Sequence, residues 1–149
     1  MLRIINQATL DLIKGFESLR LTAYQDVAGI WTIGWGHIKG VRPGMQITEE
    51  QAEDALRDDL EVAETFVDGA TSDVMTSDNQ FGAMVSLCFN IGTGNFRTST
   101  VLKQHRAKNY PAAADAFLMW DKAHVDGQLE EVPGLAKRRI MERKLYQTA

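Results

Sequence analysis

The chain is poor in residues that cross-link or stiffen a small fold. A single cysteine, Cys88, among 149 residues excludes a disulfide framework within the chain, and three prolines leave long stretches free to be helical. His37, His105 and His124 are the three histidines, and they stand at no metal-ligand spacing with one another or with Cys88, so no metal or cofactor is expected. Long apolar runs are missing too. The segment MLRIINQATLDLIKG has no continuous stretch of signal-peptide or transmembrane length, which predicts a chain without a membrane anchor that accumulates in the cytoplasm of its producing cell. There is no internal repeat and no low-complexity linker. What remains is 44% hydrophobic and 24% charged, with a formal net charge of −4. That composition suits one compact domain over 1–149.

Charge is uneven along the chain. Lys137, Arg138, Arg139, Arg143 and Lys144 crowd near the C-terminus, either as the solvated face of a helix or as a contact for an anionic partner. Nucleic acid is the obvious anionic partner. The acidic overall balance, the dispersed aromatics and the lack of a recognition-helix pattern argue against it.

The stretch IKGFESLRLTAYQDVAGIWTIGWGH, Ile13 to His37, places a carboxylate where a helix should be apolar. At about 100° per residue, Leu10, Leu12, Ile13, Phe16 and Leu19 share one arc of a helix expected from Thr9 to Leu19, and Glu17 falls between Ile13 and Leu10. Asp11, Lys14 and Ser18 already occupy the outer face. Glu17 is therefore either paired in the interior as a structural residue or lines a cleft, the setting of a general acid. Leu21 to Gln25 then reads as a strand, Asp26-Val27-Ala28-Gly29 as a turn, and Ile30 to Gly34 as the returning strand. Asp26 at the tip is a common turn former, and Thr32 suits any strand. Together with Glu17 they also make the set that glycoside hydrolysis needs: a proton donor, a second carboxylate, and a neutral group to place water.

The remaining organisation is a run of helices. Thr48-Glu49-Glu50-Gln51 is a capping box opening a helix to about Val67, with Ala52, Ala55, Leu56, Leu60 and Ala63 inward. This helix is expected to join lobes of about 1–47 and 68–149. Ser77-Asp78-Asn79-Gln80 opens a second helix ending near Asn90, where Gly92 and Gly94 break it. In that helix Phe81, Met84, Val85 and Cys88 form a stripe that makes Cys88 a core residue rather than a nucleophile. Further helices are expected at Ser99 to Arg106, Tyr110 to Lys122 and Leu135 to Tyr146. His37 follows the hairpin, where Asp58 or Asp59 on the long helix offers it a charge-assisted partner.

The ordered set Glu17, Asp26 and Thr32 within GFE-x-x-R-L-x-A-Y-x-D-x-x-G-x-x-T-I-G-x-G-H resembles the phage-type lysozymes, the endolysins of glycoside hydrolase family 24. Phe89-Asn90-Ile91-Gly92, Ser99 to Leu102, Asn109-Tyr110 and Gly134-Leu135 with Arg138-Arg139 resemble later landmarks of that family, so the likeness covers nearly the whole chain. It implies a lysozyme-like α+β fold, mostly helical, with a small antiparallel β-hairpin lobe and a larger helical lobe. It implies hydrolysis, with inversion, of the β-1,4 bond between N-acetylmuramic acid and N-acetylglucosamine in peptidoglycan, Glu17 being the acid and Asp26 and Thr32 holding the water. Phe89 and Asn90 become substrate contacts. The likeness favours Asp59 as the partner of His37, and it sets Arg138 near the catalytic Glu as a partner for Glu17. It also implies a monomer, with release to the cell wall through a lesion made by a separate holin. Trp31 and Trp35 are either sugar platforms or core residues. Two other readings stay open on the residues alone: a lysozyme-fold structural or wall-binding part without catalysis, and a helical DNA-binding module.

Overall fold

A computed structural model describes residues 2–149. The elements run α1 (Gln7–Phe16), β1 (Arg20–Gln25), β2 (Trp31–Gly34), α2 (Glu49–Thr71), α3 (Asp78–Ile91), α4 (Thr93–Arg97), α5 (Thr100–Arg106), α6 (Tyr110–Ala116), a 3-10 turn (Phe117–Met119), β3 (Lys122–Val125), β4 (Gln128–Glu131) and α7 (Pro133–Gln147). The α+β class holds: helices dominate, beside two small antiparallel sheets. The chain gathers into two compact units, one of residues 13–61 and one of residues 2–12 with 62–149, so the division falls inside α1 and α2.

In the unit of residues 13–61, β1 and β2 pair antiparallel with Tyr24 opposite Thr32 and Gln25 opposite Trp31. Gly29 takes φ +81° at the tip, a conformation a side chain would resist. Residues 45–47 extend the sheet on the other side of β1, with Ala23 N–H donating to Met45 O at 2.9 Å and Ile47 N–H to Leu21 O at 3.0 Å. Beyond β2 the chain doubles back at once: Ile33 and His37 exchange both backbone hydrogen bonds, each 2.9 Å. The Thr48 capping box forms as its spacing predicts, Gln51 N–H donating to Thr48 Oγ1 at 3.1 Å and Thr48 N–H to Gln51 Oε1 at 2.9 Å. Helix α2 then buries Ala52, Leu56 and Leu60, each leucine contributing about 1.5–3 kcal/mol of burial. It runs past the expected end at Val67 to Thr71, whose hydroxyl donates to Val67 O at 2.7 Å.

The other unit is built around α3. Every residue from Phe81 to Cys88 is buried, the mark of a helix enclosed on all sides, and α3 packs along α7. Its Ser77–Gln80 capping box is formed as expected. Burial pushes the Cys88 thiol up to about 11, which leaves it a packing residue.

Several boundaries differ from the sequence expectation. Helix α1 starts at Gln7 rather than Thr9, because the Asn6 side chain accepts from Thr9 N–H at 3.0 Å and from Thr9 Oγ1 at 2.8 Å and so caps the first turn. It ends at Phe16, one residue past Gly15, and leaves Glu17 to Leu19 outside the helix. A short helix, α4, follows Gly92. The helix expected from Tyr110 to Lys122 stops at Ala116, and a second hairpin, β3–β4, takes the residues after it. Asp126 and Gly127 at its tip both have positive φ, 52° and 80°, the geometry that an Asp-Gly pair favours in a two-residue hairpin loop.

Candidate active site

Glu17, Asp26, Thr32, His37 and Asp59 all lie in the unit of residues 13–61, whereas Phe89, Asn90 and Arg138 lie in the other. Glu17 stands just past the end of α1, half-buried, with its N–H still bonded to Ile13 O at 3.2 Å. Its carboxylate lies against Gly36: a Cβ on that glycine would come within 3.3 Å of Glu17 Oε2. Gly36 also has φ +81°, so this position excludes a side chain twice over. The sequence reading did not single out this contact, although the Gly34-Trp35-Gly36-His37 run signals a tight turn.

Asp26 and Thr32 are joined through one intervening residue. Asp26 Oδ1 accepts from Ala28 N–H at 2.8 Å and from Ile30 N–H at 2.9 Å, the Asx-type turn its position predicts. Ile30 O in turn accepts from Asp26 N–H at 2.9 Å and from the Thr32 hydroxyl at 2.9 Å. The turn-forming and catalytic readings of Asp26 are therefore compatible. Oδ1 is committed to the loop, and Oδ2 is the oxygen left for chemistry. Thr32 is 4% exposed and its proton is spent on Ile30 O, so its oxygen is an acceptor toward anything beside it.

His37 Nδ1 lies 2.8 Å from Asp59 Oδ2 and 3.1 Å from Oδ1, while Asp58 is exposed. This pair ties the turn that carries Gly36 to α2. Trp35 is 6% exposed, with Lys14 Nζ 4.4 Å from its ring centroid, so it is a core residue rather than a sugar platform. Lys14 also bonds Glu53, and this hydrogen bond, with the lysine charge, holds the Glu53 carboxyl below its ordinary range. Trp31 remains half-buried on β2.

In the other unit, Phe89 is half-buried and Asn90 exposed at the end of α3. The C-terminal basic residues do not form one surface. Arg138 and Arg139 are 5% and 1% exposed and converge on Glu142, itself fully buried, which overturns the solvated-face reading for these two. Arg138 Nε donates to Glu142 Oε2 at 3.2 Å, Arg139 Nη1 to Oε1 at 2.7 Å, and the Ser86 hydroxyl to Oε2 at 2.5 Å. Arg139 also donates to Trp120 O at 2.8 Å and to Asn90 Oδ1. Arg143 pairs with Asp115 at the surface, and Lys137 and Lys144 are exposed. Glu142 was missed in the sequence, although its spacing from Arg138 and Arg139 is the i,i+4 and i,i+3 signal of helix ion pairs. Among the described residues, no group of three or more His, Cys, Asp or Glu is arranged to hold a metal ion, and no helix is long and apolar enough to cross a membrane.

Comparison with known proteins gives the family of the chain. Residues 14–142 match the family model described as phage lysozyme. The endolysin of Acyrthosiphon pisum secondary endosymbiont phage 1 is 43% identical over 97% of this chain and 99% of that protein. Among solved structures, the endolysin from Escherichia coli O157:H7 phage FAHEc1 superposes with a TM-score of 0.92 at 42% identity, covering 97% of this chain and 94% of that one. The muramidase domain of SpmX from Asticaccaulis excentricus gives 0.91 at 37% identity, covering 99% of both chains. With the family model spanning most of the sequence and relatives matching end to end, this chain belongs to the phage lysozyme family and is a glycoside hydrolase of the lysozyme class.

Proposed function

We propose that this protein is an endolysin that cleaves the β-1,4 bond between N-acetylmuramic acid and N-acetylglucosamine in bacterial peptidoglycan and thereby lyses the host cell. The observation that carries the mechanism is the coupling of Asp26 and Thr32 through Ile30, in the same compact unit as Glu17. Glu17, protonated, gives its proton to the glycosidic oxygen as the bond to the anomeric carbon breaks. A water molecule donates one hydrogen bond to the Thr32 oxygen and the other to Asp26 Oδ2. As the water attacks the anomeric carbon, Asp26 takes its proton, and the product forms with inverted configuration. Gly36 leaves Glu17 room on the turn, and Phe89 and Asn90 contact the glycan. No cofactor takes part. On this reading the protein is a monomer that accumulates in the cytoplasm of its producing cell and reaches the wall through a lesion made by a separate holin.

Incubation with purified peptidoglycan tests the reading. The wild type releases new reducing ends, of inverted anomeric configuration by NMR. Glu17→Gln keeps the fold and the binding to peptidoglycan and lowers turnover by at least about 10²-fold, the lower end of general acid catalysis. Near-wild-type turnover in Glu17→Gln, or products of retained configuration, would overturn the assigned roles. A protein that pellets with peptidoglycan without releasing reducing ends would be a wall binder instead.

A further inference from the structure

The first hairpin carries a cation that the reaction assigned to Glu17, Asp26 and Thr32 does not use. The four-residue step from Arg20 to Tyr24 on β1 faces only the two-residue step from Gly34 to Thr32 on β2, so β1 bulges and brings Arg20 within reach of Tyr24. The guanidinium carbon of Arg20 lies 4.3 Å from the centre of the Tyr24 ring. Tyr24 in turn stands directly opposite Thr32, which places the two side chains on one face of the sheet with their Cβ atoms about 5 Å apart. A cation is thereby held one side chain away from Thr32. Arg20 is exposed, and none of its N–H donors has a hydrogen-bond or ion-pair partner among the described residues. The other cations of this unit differ from it. Lys14 and Arg57 are both paired with Glu53, and Lys39 and Arg42 lie in the loop of residues 38–44 with no ring or carboxylate to hold them.

An arginine over a tyrosine ring steadies a hairpin by itself, but this position also has a chemical use. The two sugars of a peptidoglycan strand differ only in the lactyl ether on carbon 3 of muramic acid, and a muramidase attacks carbon 1 of that same ring. A group that tells the two sugars apart must therefore lie close to the attacking water, which is where Tyr24 and Arg20 stand relative to Thr32. The lactyl arm ends in a carboxylate, or in a stem peptide that carries carboxylates. With the Asp26 carboxylate at the tip of the same hairpin, an anionic arm needs a cation beside it to offset the repulsion. A guanidinium fork also matches a carboxylate with two parallel hydrogen bonds. We propose that Arg20 binds a carboxylate on the lactyl arm of muramic acid and so helps select the bond that is cleaved. Tyr24 is the positioning residue that holds the guanidinium. The identity of the sugar rests on the muramidase reading; the unpaired cation beside Thr32 does not.

Glycan strands stripped of stem peptides by an amidase have free lactyl carboxylates, and intact strands carry those of the stem peptide. Each is compared with its own methylamide, made with carbodiimide. In the wild type, amidation raises KM about tenfold in at least one of the two pairs, the scale of a lost charge-assisted hydrogen bond. A rise in the stripped pair identifies the lactyl carboxylate as the ligand, and a rise in the intact pair a carboxylate of the stem peptide. Arg20→Gln shows the raised KM on both members of that pair. Tyr24→Phe keeps the ring and the wild-type difference, whereas Tyr24→Leu removes the ring and loses most of it. Arg42→Gln removes a cation of the same unit that nothing holds, and it distinguishes acid from amide as the wild type does. Soluble disaccharide of N-acetylglucosamine and N-acetylmuramic acid, bare or bearing its stem peptide, gives a readout independent of turnover: the Arg20 Nε–H signal in 15N-edited NMR spectra shifts with the acid and not with its methylamide. A wild-type KM unmoved by amidation in both pairs, or an Arg20→Gln variant that still distinguishes acid from amide, would overturn the proposal while the reaction assigned to Glu17 stands. If the wild type released no reducing ends, the muramidase reading would fall and the NMR comparison alone would decide the carboxylate site. Should Tyr24→Leu not fold, Arg20→Gln and the spectra still decide it.

Discussion

The Glu17 carboxylate rests against Gly36, and a methyl group there would stand 3.3 Å from Glu17 Oε2. Gly36→Ala should therefore do two separable things. Forcing an L-residue to φ +81° costs about 1–2 kcal/mol of stability. Crowding Glu17 by a few tenths of an ångström misaims the proton donor and lowers kcat by about tenfold or more. Gly40 supplies the comparison, since it has φ +71° but a methyl there would meet nothing within 4 Å. Gly40→Ala should lose similar stability in urea unfolding and keep its turnover. Equal turnover in the two variants would mean that Gly36 does not set the position of Glu17.

What was legible in the sequence was mostly local. The first hairpin and both capping boxes follow from short runs whose partners lie within four residues, so turn and cap chemistry sufficed. The order of Glu17, Asp26 and Thr32 within one short motif carried the resemblance to the phage lysozyme family, which the comparisons bear out. The second hairpin was missed because the apolar run through Ala116, Phe117 and Met119 continues a helical pattern, and that pattern outweighed the Asp126-Gly127 turn signal. The contact of Gly36 with Glu17, and the burial of Arg138, Arg139 and Glu142 together with Ser86, depend on tertiary packing. Periodicity ranks charged residues as exposed, and it assigns no partner from another element.

Asp26 and Thr32 are both held to the backbone of Ile30, through its N–H and its C=O, and are assigned to one water molecule. Asp26→Asn and Thr32→Ala should each reduce kcat. Their combination should cost much less than the product of the single losses, because the second substitution removes support for a water already lost. Kinetics of the single and double variants check this, with unfolding curves to confirm that each is folded. Fully multiplicative losses would assign the two residues to separate steps.

The His37–Asp59 pair fastens the turn after β2 to α2 through side chains only 19% and 25% exposed. Such a partly buried, charge-assisted contact should show a coupling energy of about 1–3 kcal/mol in a double-mutant cycle of His37→Ala and Asp59→Ala. Urea unfolding of the four proteins at one pH measures it. A coupling near zero would make the pair a proximity without energetic content, as many exposed ion pairs are.

His105 gives the fold a pH dependence whose sign follows from its burial. The ring is fully buried on α5, with Tyr146 OH 2.7 Å from Nδ1 and Thr76 Oγ1 2.8 Å from Nε2. Burial, and secondarily the Arg106 charge, push its pKa down from 6.5 to about 4. The unfolded chain takes up a proton near the ordinary value, whereas the folded protein resists until about pH 4. The contribution of the neutral ring is thus fully present above about 6.5, falls as pH drops between the two values, and levels off below the lower one. The size is about 3 kcal/mol if the whole shift is expressed. His105→Gln removes the titrating group and should be less stable than the wild type at pH 7, with the gap narrowing steadily as pH falls to 4. Urea unfolding of both proteins at intervals across this range is the measurement. A gap that stays constant with pH would show that His105 titrates alike in the folded and unfolded chains, and that another group governs the acid response.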